Sequence, residues 1–412
     1  MRTNILNKIR KLRPVHLLAL LFLAYTFWLS LAAVPEFLYH FGRELYWKTG
    51  YSHLIETVDQ QYAGMLTTEK EQPLLQNKGT YINLNGQMAN ILGQPMMNDR
   101  VTLKNGHLAS LVPDSPDPEE IREAADNILG FYNTHAAGNG KFLFVMVPSQ
   151  ISKYEDLLPV GYTDTTNASA DTFLAYLQEG GVPYLDLREE MQEDGLSVTD
   201  AYFQTDHHWT PQTGFWAYGK ILKKLAEIHA IEPVGSFYTD PDNYTFETYP
   251  DTFLGSSGKR TGIFYAGLDD SIYIRPDFET DITVSVPERN LEKGGRFEDV
   301  AYNTEAVHNF EDPDFFQENV YGLYGWGDTA ITHWRNAQAQ DQSRFLLMGE
   351  SFGNIPFSLM SIPLGCCDEI DLRYFEEDDF PEYYTSYDPD TVVLLFNVDN
   401  VISEFTDFDY LK

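Results

Sequence analysis

The stretch RFLLMGESFGN, residues 344–354, decides how this 412-residue chain reads. Phe345 to Met348 is a continuous apolar run, which suits a strand buried on both faces. Gly349 and Glu350 interrupt it, and a helix is expected from Ser351. Strand, turn and helix in succession are the unit of a parallel sheet covered by helices. The same unit recurs outward from this point. KFLFVMVP (141–148), VPYLDL (182–187), DEIDLRY (368–374) and TVVLLFN (391–397) read as strands. Residues 117–136 carry a helical stripe of Ile121, Ala125, Ile128, Leu129 and Tyr132. Residues 169–177 read as a second helix, ended by Gly180 and Gly181. Thr210 and Pro211 supply cap and first-turn chemistry for a third, with Phe215, Tyr218, Leu222, Leu225 and His229 along one face. The expected fold class is α/β, a doubly wound parallel sheet with helices on both faces. Residues from about 237 to 342 depart from this alternation. They are rich in Asp, Gly, Pro and aromatics, with β-like alternation at Ile272/Ile274 and Ile282/Val284/Val286, and read as an irregular insertion. Asn85-Gly86 and Asn105-Gly106 predict small hairpins between Tyr81 and Leu111.

Charge excludes more than length does. Against 28 Lys and Arg stand 62 Asp and Glu, a formal net charge of −34. Such a surface repels phosphate backbones, so nucleic acid is excluded as a partner. Arg2, Lys8, Arg10, Lys11 and Arg13 face no acid before residue 14, and without them the remainder stands at −39. Residues 15–34, VHLLALLFLAYTFWLSLAAV, form an apolar run long enough as a helix to span about 30 Å of hydrocarbon. The expectation is a basic cytoplasmic tail over 1–14, one transmembrane helix over 15–34, a juxtamembrane stalk over 35–76 and an extracytoplasmic catalytic domain over 77–412. Ser30-Leu31-Ala32 would also serve as a signal-peptide cleavage site. Cys366 and Cys367 are neighbours, so no disulfide framework is expected. The acidic run 376–379 reads as a solvated loop, with calcium binding as the alternative.

In a doubly wound sheet, chemistry gathers at the C-terminal ends of the strands. One such end is Gly349 to Asn354, where a serine on a sharp turn presents its hydroxyl beside the free N–H groups of a helix start. A plain Ser cap would look the same. The other is Thr205-Asp206-His207-His208-Trp209-Thr210, just before a helix. Asp206 and His208 share a face and His207 points away, so the carboxylate can hold the imidazole tautomer and leave the other nitrogen as a base. Trp209 would wall the site against water. Asp and His are also metal ligands, but no second clustered motif supports a metal, and no cofactor is implied. Together the two segments place Ser351, His208 and Asp206 on strand-to-helix edges of one sheet, the parts of an acyl-transfer site. His107, His135, His229, His308 and His333 show no partner signature and read as surface or packing residues.

TDHHWT followed by Gly214, with GESFG at a later strand end, resembles the DHHW protein family, which is similar to the extracytoplasmic SGNH-like acetyltransferases of the alginate type. MVPSQISKYEDLLP (146–159), VPYLDLREEM (182–191), FLGSSGKRTG (253–262) and DEIDLRY support it, over roughly residue 81 to the C-terminus. The resemblance implies an SGNH-hydrolase-like fold, with Ser351 as nucleophile, His208 as general base and Asp206 as its orienting acid. Glu350 departs from the motif, which usually carries Asp there. The Ser351 N–H is the first oxyanion donor. Arg373 resembles an arginine of the family's site that would bind acyl group or glycan, and Asn354, Asn397 and Ser256 are further polar candidates. The implied function is O-acetyl transfer to a cell-surface or exported polysaccharide, with a membrane-bound O-acyltransferase as acyl source. An SGNH-type carbohydrate esterase uses the same triad with water as acceptor, and a non-catalytic glycan-binding or scaffold protein could keep the fold. The acidity argues for a neutral or weakly charged acceptor, unless Arg373 and nearby cations reverse it locally.

Overall fold

A computed structural model describes residues 78–136, 141–307 and 309–406, with 22–25 and 27 besides. The chain divides into two units, 1–81 and 82–412. The basic tail, the stalk and all but five residues of the expected anchor lie outside the described residues, as does His308. Among the described residues no helix is long and apolar enough to cross a membrane.

Eight strands form the main sheet of the second unit: β1 Phe142–Val147, β2 Tyr184–Asp186, β3 Ile282–Val286, β4 Leu291–Gly295, β5 Ile331–Arg335, β6 Asp341–Gly349, β7 Leu364–Asp371 and β8 Thr391–Asn397. Their order is β2-β1-β8-β6-β7-β5-β3-β4. The first five run parallel. The last three are antiparallel to their neighbours. The sheet is therefore mixed, which corrects the expectation of a parallel one. The cause is the insertion: β3, β4 and β5 all come from residues 237–342 and extend the β7 edge. Alternation at Ile282, Val284 and Val286 is a real strand signal, buried at every second position. A period of two does not tell parallel from antiparallel pairing. The insertion also holds a two-stranded ribbon, Tyr244–Phe253 against Asp269–Pro276.

Every residue of β1 and of β8 is buried. Their alternate side chains build two cores. Phe142, Phe144, Met146, Leu346, Met348, Leu394 and Phe396 pack on one face. That face is covered by helices α1 Pro118–His135, α2 Thr166–Glu179 and, nearer the C-terminus, Val401–Thr406. Leu143, Val145, Val147, Phe345, Leu347, Val393 and Leu395 pack on the other, under α3 Pro211–Glu227 and α4 Asn354–Met360. Each fully buried side chain of this size contributes about 1.5–3 kcal/mol. Helix starts follow their caps. Asp117 and Glu120 make a capping box before α1. The Thr210 side chain accepts the Thr213 N–H, with Pro211 in the first turn of α3.

Three local expectations need correction. Asn105-Gly106 does sit between the paired strands Arg100–Thr102 and Leu108–Ala109, but Asn85-Gly86 lies inside the helix Lys78–Ile91. Gly86 is there because a Cβ would stand 2.1 Å from the Thr261 carbonyl oxygen, so only glycine lets this helix approach. His229 does not extend the apolar face of α3. It lies beyond the helix end, exposed, with φ of 59°. His333 has a partner after all, Asp368 on β7, at 2.9 Å. The run 376–379 is exposed, as expected of a solvated segment.

Candidate active site

The C-terminal ends of β1, β8, β6 and β7 meet at one edge of the sheet. β6 ends at Gly349, Glu350 is extended, and Ser351–Gly353 form a short 3-10 turn that runs into α4. The turn is tight for packing reasons. A Cβ on Gly349 would stand 2.9 Å from the Leu395 carbonyl oxygen, and one on Gly353 2.7 Å from the Phe357 ring. Glu350 braces it, accepting the Asn397 N–H at 2.6 Å and Asn400 Nδ2 at 2.8 Å. Burial pushes its carboxyl up, against the pull of those two donors. The acid at this position is thus a strut between the ends of β6 and β8.

The segment 205–209 reaches this edge from the loop before α3. It is a turn, closed by a bridge between Tyr202 and Trp209. Asp206 Oδ1 accepts both the His208 backbone N–H (3.1 Å) and His208 Nδ1 (2.5 Å). The shared side of Asp206 and His208 therefore comes from an Asx-type turn rather than from an extended strand. Asp206 and His208 are both buried, as expected, but His207 does not point away: although exposed, its ring lies 3.9 Å from that of His208 and its Nδ1 3.5 Å from Asp206 Oδ1. Other contacts hold the turn. Gln150 Nε2, just past β1, donates to the carbonyls of Phe203 and Asp206. Asp269 accepts the N–H groups of Gln204 and Thr205 and the Thr205 hydroxyl. Tyr202 Oη donates to the Pro148 carbonyl at the end of β1.

These pieces bring three predicted residues together. His208 Nε2 lies 2.7 Å from Ser351 Oγ, and the opposite ring nitrogen is on Asp206. Ser351, His208 and Asp206 are 6%, 6% and 3% exposed. Asp206 Oδ2 accepts the Ser256 N–H at 2.6 Å. Burial alone would raise the Asp206 carboxyl, but His207, His208 and the Ser256 N–H hold it well below the usual carboxylate range. An ionised Asp206 fixes the proton on His208 Nδ1, which leaves Nε2 free to accept from Ser351.

The remaining candidates divide. Trp209 is fully buried, edge-to-face with Phe352 at 5.4 Å, and backs the site as a wall. Ser256 is not an oxyanion donor: its N–H serves Asp206 and its hydroxyl lies 3.0 Å from His207 Nδ1. Asn397 is structural too, with Nδ2 on the Pro148 carbonyl and Oδ1 accepting from Asp399. Arg373 lies past the end of β7, forked onto Asp371 at 2.9 and 2.6 Å. Asn354 is different. It is buried one turn beyond Ser351, and its Nδ2 has no hydrogen-bond partner among the described residues.

Several site residues escaped the sequence. Tyr321, deep in the insertion, stacks on His208 with ring centroids 3.6 Å apart and planes at 8°. Phe352 closes another side at 4.8 Å. Nothing in the local pattern around Tyr321 announces this, because the contact spans the insertion. Gly255 had a legible signal inside FLGSSG: a Cβ there would stand 2.3 Å from Asp206 Cβ, so only glycine lets Ser256 reach the carboxylate. As for metals, Asp206, His207 and His208 offer ligand atoms within 4.8 Å of one another. In this arrangement those atoms are committed to Ser351, Ser256 and each other.

Fold and site together are those of an α/β protein with a Ser–His–Asp hydrogen-bond chain at one edge of a mixed sheet. Residues 109–239 match the family described as an SGNH hydrolase-like domain, acetyltransferase AlgX. PatB1 of Bacillus cereus is similar in structure at 19% identity and TM-score 0.60, covering 76% of this chain and 98% of that one. A second structure, PatB1 with a sulfonyl adduct, aligns at 19% identity and TM-score 0.59, over 75% and 99%. A DHHW family protein from Eubacterium siraeum aligns at 17% identity and TM-score 0.55, over 76% and 95%. Comparison with curated protein sequences finds no match. The chain thus resembles the DHHW family and the SGNH-like acetyltransferases, as its motifs imply.

Proposed function

We propose that the protein is an O-acetyltransferase that moves acetyl groups onto a polysaccharide through an acyl-Ser351 intermediate. The observation that carries this is the continuous chain from Ser351 Oγ through His208 to Asp206, at 2.7 and 2.5 Å, on the C-terminal edge of the sheet. The similarity to a domain described as acetyltransferase AlgX supports the choice of acyl group. Ser351 Oγ attacks the acetyl carbonyl as its proton passes to His208 Nε2. Asp206 stabilises the imidazolium that forms, and the imidazolium then protonates the leaving group. A sugar hydroxyl next attacks the acetyl-serine, His208 takes its proton, and Ser351 leaves as the hydroxyl once the proton returns. N–H groups at the start of a helical turn have no acceptor within it, so those of Ser351 and Phe352 are suited to the oxyanion. Asn354 Nδ2, a buried donor without a partner among the described residues, is the third candidate. Tyr321 and Phe352 lie against the imidazole and Trp209 backs Phe352, which limits water and favours a sugar hydroxyl over hydrolysis.

The basic residues before position 14 and the apolar run after them support a protein held at a bacterial membrane with its catalytic domain outside. A membrane-bound O-acyltransferase would then supply acetyl groups that cytoplasmic coenzyme A cannot. The test is to measure acetyl-ester turnover with and without an oligosaccharide acceptor. Acetyl groups recovered on the sugar, rising with its concentration at the expense of free acetate, are expected. Turnover to acetate that no acceptor diverts would replace the transferase with an esterase.

A further inference from the structure

Arginines in this acidic chain are spent in two ways. Arg122, Arg188, Arg296, Arg335, Arg344 and Arg373 each hold a carboxylate. Arg260, Arg275 and Arg289 are exposed. Arg100 fits neither group. Among the described residues it is the arginine that is half-buried without a carboxylate partner. Its Nε donates to Ser257 Oγ at 3.0 Å and its Nη1 to the Asp99 carbonyl at 3.0 Å. Its Nη2, with two N–H donors, is left to whatever approaches. A half-desolvated guanidinium costs stability unless something pairs with it. With 62 acidic residues in the chain, the missing carboxylate is not for want of supply.

The position is as telling as the missing partner. Ser257 follows Ser256, whose N–H holds Asp206 and whose hydroxyl meets His207. The charge of Arg100 reaches this site. Along with burial and His208, Arg100 and Arg373 both push the His207 imidazole down, and Asp206 acts back on Arg100. Arg260 stands one turn on in the helix Ser256–Thr261, exposed and without a carboxylate. Asn98 Nδ2 donates to the Arg260 carbonyl at 2.6 Å and ties that helix to the strand that bears Arg100. Arg373 is already neutralised by Asp371, so the uncompensated charge is on the Arg100 side.

We propose that Arg100 and Arg260 form an oxyanion subsite beside Ser351 and His208, which takes one carboxylate or phosphate group on the acceptor sugar. The planar guanidinium fork matches either anion. The subsite rests on the acyl-transfer reading and narrows its acceptor. It also reconciles two charges: a chain at −34 repels a dense polyanion, while a local pair of arginines admits a sugar with sparse acidic groups.

Three matched oligosaccharides test it: one neutral, one with a single uronate and one with a single phosphate. The wild-type enzyme should show kcat/KM at least about tenfold higher on one of the acidic acceptors than on the neutral one, a preference that shrinks with added salt. The better acid identifies the source of the anion. Arg100→Gln should collapse the ratio about tenfold, Arg260→Gln less, and Arg100→Lys should recover part of it. Dissociation constants on Ser351→Ala, which binds without turnover, should rank the three sugars alike. Equal or weaker binding of both acidic sugars, or a ratio that survives Arg100→Gln, overturns the subsite. Failure of the acyl-transfer reading is separate, since it would appear as wild-type protein that never carries acetyl on Ser351 before any acceptor is added.

Discussion

Two histidine–aspartate pairs among the described residues differ in where the sheet puts them, and only one of the two has a hydroxyl within reach of its free ring nitrogen. His208 and Asp206 sit beyond the C-terminal edge of the sheet, 2.5 Å apart. His333 and Asp368 sit within it, on the paired strands β5 and β7, 2.9 Å apart. The difference is in what else each carboxylate and ring must serve. Asp206 divides its oxygens between His208 and the Ser256 N–H, and the far nitrogen of His208 meets Ser351. Asp368 also holds the Arg335 guanidinium at 2.7 Å and accepts the Tyr383 hydroxyl. Its charge is spent on tying β5 and the helix Phe380–Tyr387 to β7. A His–Asp pair becomes a candidate base only when a strand end delivers a hydroxyl to its free nitrogen. Within a sheet the same pair is a fastener.

The sharpest way to break the comparison is to remove the residues found at only one of the two sites. Ser351→Ala and His208→Ala should each lower kcat for acetyl transfer by about 10⁴-fold or more, with far-UV circular dichroism unchanged. A loss below tenfold would put His208 on a par with His333. Next, the two acids are exchanged for amides. Asp206→Asn should cost about 10³–10⁴-fold in kcat through the wrong tautomer. Asp368→Asn should leave kcat within about threefold, yet lower unfolding free energy by about 2 kcal/mol, because Arg335 loses its counter-charge and the Tyr383 hydroxyl its carboxylate acceptor. Urea titration and steady-state kinetics on the same samples separate the two. Gly255→Ala distorts one pair and spares the other: its methyl would press on Asp206, for about 1–3 kcal/mol and a ten- to hundredfold drop in kcat.

The smallest effect concerns what the pairs share. Against the cost of burial, His207, His208 and the Ser256 N–H hold the folded-state pKa of Asp206 below that of an unfolded aspartate; His333, Tyr383 and Arg335 do the same for Asp368. Their contribution to stability is therefore present above about pH 4 and is lost as pH falls through the depressed values. Asp206→Asn and Asp368→Asn should each flatten the fall of stability between about pH 4 and pH 2, read from urea midpoints against pH. An unchanged slope in either variant would mean that its carboxyl is not stabilised by the fold.

The same contrast shows what a sequence makes legible. The buried strands around β6 are readable because both faces are covered and their apolar runs are unbroken. The cap at Thr210 and the common side of Asp206 and His208 are readable because both depend on neighbours in sequence. Pairing direction is not: Ile282, Val284 and Val286 alternate alike whichever way the strand runs, so the mixed edge of the sheet was hidden. Contacts across the insertion were hidden as well. Tyr321 on His208, and Arg100 on Ser257, join residues more than a hundred positions apart, and no local period marks them. His333 looked partnerless for the same reason, since Asp368 reaches it only through strand register.

The central claim is that Ser351 is acylated with His208 as its base. Rapid quench of the wild-type enzyme with an activated acetyl ester, followed by peptide mass spectrometry, tests it directly. One acetyl group on the peptide that contains Ser351, absent from His208→Ala under the same conditions, is the expected result. Acetate release at full rate with no acetyl on Ser351, or labelling that persists undiminished in His208→Ala, would contradict it.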